Sequence, residues 1–333
     1  DSSAATEDKA DSADSADSSA ATGDGEAVEL VVGGVTSSSA KDAVTYFGEK
    51  VNEYSNGTIT IADFPDNQLG NDEQRFEMAQ NGECDISIGS TSSVSASYHD
   101  LYLYDVYYMF LNKQEVYDVG FGGEAGEKIL EGFDQFGLKG LAMWENGFRN
   151  VTTNNTPVNT VADLKGLKMR TNGMKTIDMT FQAMDATTTT IPYSDLYMGL
   201  KTGVADGQEN PWVNVEGMKF YEVQKYFTEV NYQFHPDPFY VNAAWWNGLP
   251  EEYRDIITEC ATKMGEYNDE LIDKNSSAAK QTIVDSGCEV YEPSADELKA
   301  FQAAVQSVYD QCVTEGICTA DEIKEMQDIV AKA

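Results

Sequence analysis

The sequence contains few of the residue types on which nucleophilic or metal-based catalysis usually depends. It has two histidines, His99 and His235, and five cysteines that form no C-x-x-C pair. The cysteine spacings fit no zinc site, so we expect no metal centre and no cofactor. No G-x-S-x-G, P-loop or strand-linked G-x-G-x-x-G motif is present, and we expect no catalytic residues. Cys312 and Cys318 are near enough in sequence to form a disulfide, but sequence alone cannot assign the pairing.

Long apolar runs are also absent. No stretch of about 18 or more apolar residues exists, so we expect no segment that spans a bilayer. The first residues lack the charged segment followed by an apolar stretch that marks a secretory signal peptide. Either the protein is cytoplasmic, or a signal has been removed ahead of residue 1.

Basic residues are outnumbered by acidic ones, with 22 Lys and Arg against 57 Asp and Glu and a formal charge of −35. Such a surface repels phosphate backbones, so we expect no nucleic-acid partner and interpret the acidity mainly as a source of solubility. A protein this negative that binds an anion must build a local positive site. Its arginines are four in number: Arg75, Arg149, Arg170 and Arg254.

The N-terminal segment, residues 1–26, has no aromatic residue, one basic residue and a DSA near-repeat. It cannot bury enough apolar surface to offset the entropy of ordering it, so we expect a disordered acidic segment. A tether between a membrane anchor and a folded body would have this composition. An unspecialised disordered terminus would have the same composition.

After this segment, short apolar strands alternate with helical patterns in two successive series, which is typical of α/β sheets. The predicted strands are Val28–Val32, Gly57–Phe64, Asp85–Ser90, Leu138–Trp144, Leu167–Thr171, Thr187–Ile191 and Phe239–Trp245. The predicted helices are Lys41–Glu53, Glu73–Gln80, Lys175–Met184, Ser194–Lys201 and Glu251–Ser286. At 1.5 Å per residue the last helix is on the order of 50 Å long, which is longer than one lobe is wide. We therefore expect it to lie across two lobes of similar build.

Two arginines follow predicted strands in the middle of the chain. Arg149 ends the segment that leaves the strand at Leu138, and Arg170 ends the strand at Leu167. Strand ends line the ligand crevice in open α/β sheets, and a guanidinium can hold a carboxylate through two parallel hydrogen bonds. The alternative for each arginine is a surface salt bridge with one of the many acidic residues.

A second candidate is the polar segment Asp206–Trp212, which we expect to be a ligand-facing loop. Asn210 could hydrogen-bond a carboxylate or hydroxyl, and Trp212 could form an apolar wall. The alternative is a plain polar turn. We expect the aromatic run from Tyr102 to Phe110 to pack in the core and between lobes, and His235 to have a structural role.

Several segments in this order resemble the solute-binding proteins of tripartite ATP-independent periplasmic (TRAP) transporters, the DctP-like family. The resemblance runs from about Val28 to about Ala331. The matching segments are Asn67–Gly70 (NQLG), Asn146–Arg149 (NGFR), Asp163–Arg170 (DLKGLKMR), Pro192–Tyr197 (PYSDLY), Asp206–Pro211 (DGQENP) and Phe220–Tyr226 (FYEVQKY).

The resemblance implies a two-lobed α/β periplasmic-binding-protein (Venus-flytrap) fold with a long helix crossing both lobes. The expected lobes are residues 27–146 plus 235–275 and residues 147–234 plus 276–333. The resemblance also implies ligand-binding roles. Arg170 would form the main salt bridge to a substrate carboxylate, Arg149 would orient the same ligand, Asn210 would hydrogen-bond it, and Tyr193 would pack on it. Ser90 matches a position that carries glutamate in sialic-acid binders of the family, and this departure weakens that assignment.

The expected function is therefore extracytoplasmic binding of a small carboxylate and its delivery to a TRAP membrane permease. A C4-dicarboxylate is the first choice of ligand, with a uronate or sialic acid as alternatives. A hydrolase acting on acidic sugars through an Asp/Glu pair is a hypothesis from another class. A receptor subunit that presents its ligand to a sensor is a third. We expect a monomer, and a lipid anchor ahead of Asp1 would suit the acidic segment.

Overall fold

The computed structural model describes residues 27–34, 38–94, 98, 101, 104, 106–121 and 123–331, so the predicted tether (1–26) lies outside the described residues. The strands of the described part are β1 (Val28–Gly33), β2 (Ile59–Phe64), β3 (Ile86–Ile88), β4 (Leu138–Thr153), β5 (Lys168–Thr171), β6 (Thr187–Thr190), β7 (Gly207–Asn210), β8 (Tyr226–Asn242) and β9 (Glu289–Tyr291).

The α-helices of the same part are α1 (Ser38–Tyr54), α2 (Asp72–Asn81), α3 (Thr91–Val94), α4 (Lys113–Glu115), α5 (Glu124–Gly132), α6 (Lys175–Ala183), α7 (Leu196–Lys201), α8 (Trp212–Gly217), α9 (Ala243–Gly248), α10 (Glu251–Asp285), α11 (Ala295–Ala304), α12 (Gln306–Thr314) and α13 (Ala320–Val330). A π-helical turn covers Val116–Phe121. Short 3₁₀ turns cover Phe133–Phe136, Val161–Leu164, Tyr193–Asp195 and Phe220–Glu222.

The strands form one sheet in the order β2-β1-β3-β8-β4-β7-β5-β6, and β9 also pairs with β8. Strands β4 and β8 run antiparallel to each other and are 16 and 17 residues long. The C-terminal half of β8 pairs with β3, and its N-terminal end pairs with β9. The C-terminal end of β4 pairs with β7. Two long strands therefore connect the β1–β3 part of the sheet with the β5–β7 part.

The hydrophobic core is divided in the same way. One cluster joins Leu30 and Val32 of β1 to Phe239 of β8, and another joins Met169 of β5 to residues of α6 and α12. The two-lobed α/β prediction is confirmed, and the lobe limits given above stay a prediction.

Helix α10 is 35 residues long, or about 52 Å at 1.5 Å per residue. It begins after Pro250, and Glu251 and Glu252 in its first turn complement the helix dipole. Its first half packs Ile257 and Met264 into the cluster around β1, and its second half packs Ile283 into the cluster around Phe227 of β8. The prediction that one helix crosses both lobes is confirmed.

Two parts of the predicted secondary structure were wrong. The strand predicted at Phe239–Trp245 is the end of β8, and the chain turns into α9 at Ala243. The cause is Asn242, whose side chain accepts a hydrogen bond from the Trp245 N–H at 2.9 Å and so starts the helix. The loop predicted at Asp206–Trp212 is instead strand β7 followed by α8, because Gly207–Asn210 pairs with β4 on one side and β5 on the other.

The aromatic run contributes to the core, as predicted for the residues that the structure describes. Tyr104, Tyr107 and Phe110 are almost fully buried, and Tyr107 stacks on Tyr232 with ring centroids 4.4 Å apart. Tyr102 lies outside the described residues.

The cysteines of the described part are free thiols. Cys312 and Cys318 are both buried and share a hydrogen bond, so the two residues that the sequence suggested as a pair are neighbours. Among the described helices, none combines the length and apolarity needed to cross a bilayer.

The tight contact between β7 and β4 predicts a measurable cost of substitution at Gly207. A Cβ atom there would lie 2.4 Å from the Thr152 carbonyl oxygen, so the two strands would have to separate. We expect Gly207→Ala to lower the free energy of unfolding by about 1–3 kcal/mol in urea denaturation. At Gly217 a Cβ would meet no atom within 4 Å, so Gly217→Ala should leave stability unchanged or raise it by up to about 1 kcal/mol. Equal stabilities for the two variants would contradict this packing.

Candidate functional site

A polar cavity of about 340 Å³ lies beside the two long strands. Its walls come from the segment before α2 and from α2 itself, from β4 and β8, and from the segments around β5, β6, β7 and α8. The lining residues are Asn67, Asn71, Asp72, Glu73, Arg75, Ser90, Asn146, Arg149, Arg170, Asn172, Thr190, Pro192, Tyr193, Ser194, Asn210, Asn214, His235 and Asp237. Three of the four arginines of the chain are therefore brought to one cavity.

Arg149 is held by an ion pair with Glu209. The register of β4 and β7 places Glu209 opposite Val151. Arg149 lies two residues before Val151 on the same face of β4, so Arg149 and Glu209 are diagonal neighbours. Nε and Nη2 of Arg149 donate to the Glu209 carboxylate, with 2.9 Å between Nη2 and Oε1. Both residues are buried, with exposures of 3% and 0%. Burial lowers the pKa of Arg149, but the charge and hydrogen bonds of Glu209, together with Tyr232, outweigh it and raise that pKa above its ordinary value.

Glu209 is further fixed by Tyr232, whose hydroxyl donates to its carboxylate. Burial and the nearby Glu209 charge raise the pKa of Tyr232 well above its ordinary value, so the phenol remains a donor. The Glu209 carboxylate thus accepts from three donor groups on two residues, and the charge of Arg149 is neutralised within the protein.

His235 links Arg149 to Ser90. An arginine can only donate, so Nδ1 of His235 must accept from Nη1 of Arg149 at 2.7 Å. Nε2 of a neutral ring then carries the proton and donates to Ser90 Oγ at 2.5 Å. Burial and the charge of Arg149 lower the pKa of His235 well below its ordinary value, which keeps this tautomer neutral. His235 therefore positions Arg149 and Ser90.

Arg170 differs from Arg149 because it has no carboxylate partner among the described residues. It lies in β5, is 2% exposed, and makes one hydrogen bond, from Nε to the Ile191 carbonyl oxygen at 2.8 Å. Arg170 belongs to the cavity wall, and its Nη1 and Nη2 groups have no hydrogen-bond partner among the described residues. Burial lowers the pKa of Arg170 to about 10, Glu209 opposes this, and Arg149 adds to it. At neutral pH Arg170 is therefore a buried cation with free donors.

Arg75 holds the segment before α2. Nη1 donates to Asn67 Oδ1 at 2.6 Å and to the Gly70 carbonyl oxygen at 2.7 Å, and Nη2 donates to Asp72 and to the Ile88 carbonyl oxygen. Helix α2 itself begins with a capping box in which Asn71 and Gln74 exchange hydrogen bonds. The charge of Arg75, like that of Arg149, is already paired.

Asp237 and Asn146 line the cavity near the middle of β4 and β8. Nδ2 of Asn146 donates to both carboxyl oxygens of Asp237, at 3.2 and 3.4 Å. Burial raises the pKa of Asp237 to about 8, and the charge of Asp72 adds to this, although Asn146, Arg149 and Arg75 oppose it. At neutral pH Asp237 is therefore largely uncharged.

The structure brings five of the six predicted site residues to the cavity. Arg149 and Arg170 are described above, and Ser90 lies next to His235. Asn210 accepts from Arg149 at 3.1 Å through Oδ1. Tyr193 is half-buried, and its hydroxyl donates to the Asn214 carbonyl oxygen at 3.3 Å.

Trp212, expected to form a wall of the site, is not among the residues that line the described cavity. It is buried in a hydrophobic cluster and stacks on Phe227 with ring centroids 6.1 Å apart. Pro211 caps α8, and the helix turns the indole away from the cavity into the core. In a loop, as predicted, this side chain would have been free to face a ligand.

Several cavity residues were missed by the sequence reasoning. Arg75 was assigned no role, Asn146 was quoted in a matching segment without a role, Asp237 was not considered, and His235 was expected to have a structural role. The one available signal was the Pro-Asp-Pro segment at residues 236–238, which places a carboxyl group in a strand between two prolines. Glu209 was quoted in a motif but could not be paired with Arg149 without the strand register.

No group of three or more His, Cys, Asp or Glu side chains that could hold a metal ion occurs within the described ranges. What the cavity offers is one unpaired cation, two paired arginines, and a wall of amides and hydroxyls. This chemistry suits an anionic ligand with further polar groups.

The raised pKa of Asp237 predicts a specific pH dependence of stability. Between about pH 4 and pH 8 the folded state keeps a proton that the unfolded state has lost, so this residue's contribution to stability falls as pH rises. Asp237→Asn removes this titration. We expect the free energy of unfolding of the wild type, relative to that of the variant, to fall by about 3 kcal/mol from pH 5 to pH 8 in urea titrations.

Asp255→Asn, at an exposed position of α10, is the matched control and should track the wild type at each pH. A constant difference between wild type and Asp237→Asn across this range would show that Asp237 is charged in the folded protein.

Comparisons with known proteins identify the family of this chain. The family model of bacterial extracellular solute-binding proteins, family 7 (DctP), matches residues 33–315. The C4-dicarboxylate-binding periplasmic protein DctP of Rhodobacter capsulatus is 30% identical over 267 residues, which is 80% of each chain. The 2,3-diketo-L-gulonate-binding periplasmic protein YiaO of Escherichia coli is 29% identical over 288 residues, which is 86% of this chain and 87% of that protein.

Solved structures give the same result at the level of fold. The sugar acid binding protein DctPAm of Advenella mimigardefordensis, in complex with galactonate, superposes with a TM-score of 0.87 at 26% identity, covering 92% of this chain and 99% of that one. A TRAP periplasmic solute binding protein from Ochrobactrum anthropi superposes with a TM-score of 0.85 at 30% identity, covering 93% and 96%. The chain belongs to the DctP family of bacterial extracellular solute-binding proteins, as its resemblance to TRAP solute-binding proteins predicted.

Proposed function

We propose that this protein binds a small organic acid through its carboxylate in the cavity beside β4 and β8, and delivers it to a TRAP-type membrane permease. The observation that carries the proposal is Arg170, a buried cavity residue whose guanidinium has no carboxylate partner among the described residues and whose Nη groups make no hydrogen bond to them. A planar guanidinium in this state is suited to hold a carboxylate through two parallel hydrogen bonds.

The energetics favour an anionic ligand. An unpaired buried cation is unfavourable, and a bound carboxylate relieves that cost with a charge-assisted pair shielded from water. The net charge of −35 would otherwise repel an anion, so the local field of Arg170 has to overcome the field of the whole molecule. Arg149 adds one N–H of Nη1 that has no partner among the described residues, while its charge is already balanced by Glu209.

Closure of the two lobes around the ligand is supported by the form of the connecting strands. The pairing of β4 with β8 shifts register at three places, one of them between Glu145 and Gly147. Gly147 has a φ of +105°, a conformation that favours glycine. Such irregular points let two strands change their relative direction without breaking the whole ladder, and they lie beside the cavity residues Asn146 and Arg149.

The location and partner follow from the family. We place the protein outside the cytoplasm, where it hands its ligand to a permease; presentation of the ligand to a sensor would use the same site. A C4-dicarboxylate, expected from the sequence, and a sugar acid or uronate are both compatible with a carboxylate at Arg170. A hydrolase would need a pair of carboxyl groups placed as acid and base. Of the three acids in the described cavity wall, Asp72 is ion-paired with Arg75, Glu73 is exposed, and Asp237 is held by Asn146.

The proposal predicts ligand stabilisation that depends on Arg170. An organic acid at a hundred times its dissociation constant should stabilise the wild type by about 2.7 kcal/mol, which raises the melting temperature by roughly 4 °C for a chain of this length. Arg170→Met should remove that shift. Arg254→Met, which deletes the same charge on α10 outside the cavity, should keep it. A shift of equal size in Arg170→Met, or stabilisation by neutral sugars alone, would overturn the proposal.

A further inference from the structure

We infer that the ligand is a polyhydroxylated monocarboxylate, a sugar acid of the aldonate or uronate class, rather than a dicarboxylate. This inference rests on the proposed function, because it assumes that Arg170 takes the carboxylate. It adds the chemistry of the rest of the ligand, which follows from the charges and from the unpaired hydrogen-bonding atoms of the cavity wall.

The charge balance of the cavity leaves room for one carboxylate. Of the three arginines in the wall, Arg75 is paired with Asp72 and Arg149 with Glu209, which leaves Arg170. No lysine belongs to the described wall of this cavity. A second ligand carboxylate would therefore meet an already neutralised arginine and the nearby oxygens of Asp72 and Asp237. Taking a second charge out of water without a counter-ion is strongly unfavourable.

Apart from the arginine N–H groups, the unpaired buried atoms of the described wall are two amide oxygens, which are acceptors. Asn146 and Asn214 are 9% and 8% exposed, both line the cavity, and the Oδ1 atom of each is buried without a hydrogen-bond partner among the described residues. The Nδ2 group of Asn146 donates to Asp237, which fixes its amide with Oδ1 unpaired. An unpaired buried carbonyl oxygen is costly unless a ligand supplies a donor. A carboxylate has no hydrogen to donate, whereas a hydroxyl group has one.

The other polar groups of the cavity wall can also hydrogen-bond to hydroxyl groups. Asp237 has a raised pKa, and as an uncharged acid it can both donate to a hydroxyl and accept from one. Asn172, Thr190 and Ser194 line the side that carries Arg170. A cavity of about 340 Å³ lies within the range of roughly 300–1,000 Å³ that is usual for small-molecule sites. The wall thus offers one unpaired cation together with amides, hydroxyls and the acids Asp72, Glu73 and Asp237. This combination matches a ligand with one carboxylate and several hydroxyl groups.

The test is a comparison of probes that separate these features, measured by isothermal titration on the full chain freed of ligand by unfolding and refolding. D-Galactonate and D-glucuronate carry one carboxylate and several hydroxyls, succinate carries two carboxylates, hexanoate carries one carboxylate and no hydroxyl, and galactitol carries hydroxyls alone. We expect at least one of the two sugar acids to bind at least tenfold more tightly than succinate, hexanoate and galactitol. This comparison needs no variant and does not depend on the folding of one.

Variants assign the preference to the unpaired oxygens. Asn214→Leu and Asn146→Leu should each weaken sugar-acid binding about tenfold and leave hexanoate binding unchanged, because they remove an acceptor and not the cation. Asn247→Leu, at an exposed position of α9, is the matched control and should bind like the wild type.

The outcomes distinguish failure of this inference from failure of the proposed function. If succinate binds more tightly than both sugar acids and Arg170→Met abolishes that binding, the carboxylate site stands and the hydroxylated ligand is wrong. If the Leu variants weaken hexanoate binding as much as sugar-acid binding, the two asparagines do not recognise the hydroxyl groups of the ligand. If galactitol binds as tightly as galactonate, or if none of the probes binds, both the inference and the proposed function fail.

Discussion

The buried ion pair between Arg149 and Glu209 is the interaction on which the cavity depends. It joins β4 to β7, it is completed by Tyr232, and through His235 it also fixes Ser90 on the far side of β8. Removing one partner of such a pair leaves a buried charge and typically costs about 3–5 kcal/mol. Because Arg149 and Glu209 neutralise each other, the pair supports the cavity wall and leaves no net charge for a ligand.

Because Arg149 is paired with Glu209, Arg170 is the cavity arginine that remains without a carboxylate partner among the described residues. In a chain with 57 acidic residues, an arginine would ordinarily find a carboxylate partner, and Arg75 and Arg149 have done so. Arg170, which also lines the cavity, instead donates from its Nε to a backbone carbonyl, and its two Nη groups have no hydrogen-bond partner among the described residues. In the proposed function, the positive charge that holds the ligand carboxylate therefore comes from Arg170. The surrounding amides would then select the other functional groups of the ligand.

Much of the architecture could be predicted because it depends on local pattern. Periodicity indicated the α/β alternation and the long helix α10, and the scarcity of arginine pointed to Arg149 and Arg170. The pairing of Arg149 with Glu209 could not be predicted, because it joins residues 60 positions apart through the register of two strands. Because the register was unknown from the sequence, β7 was predicted to be a loop and Trp212 was predicted to face the ligand. In the structure Trp212 begins helix α8 and packs in a hydrophobic cluster.

The most direct test of this account is a crystal structure of the protein with the tightest-binding acid. The account predicts a carboxylate with both oxygens about 2.7–2.9 Å from Nη1 and Nη2 of Arg170, while Arg149 still pairs with Glu209. A carboxylate that displaces Glu209 from Arg149, or one that binds at Arg75 and leaves Arg170 without a ligand, would contradict it.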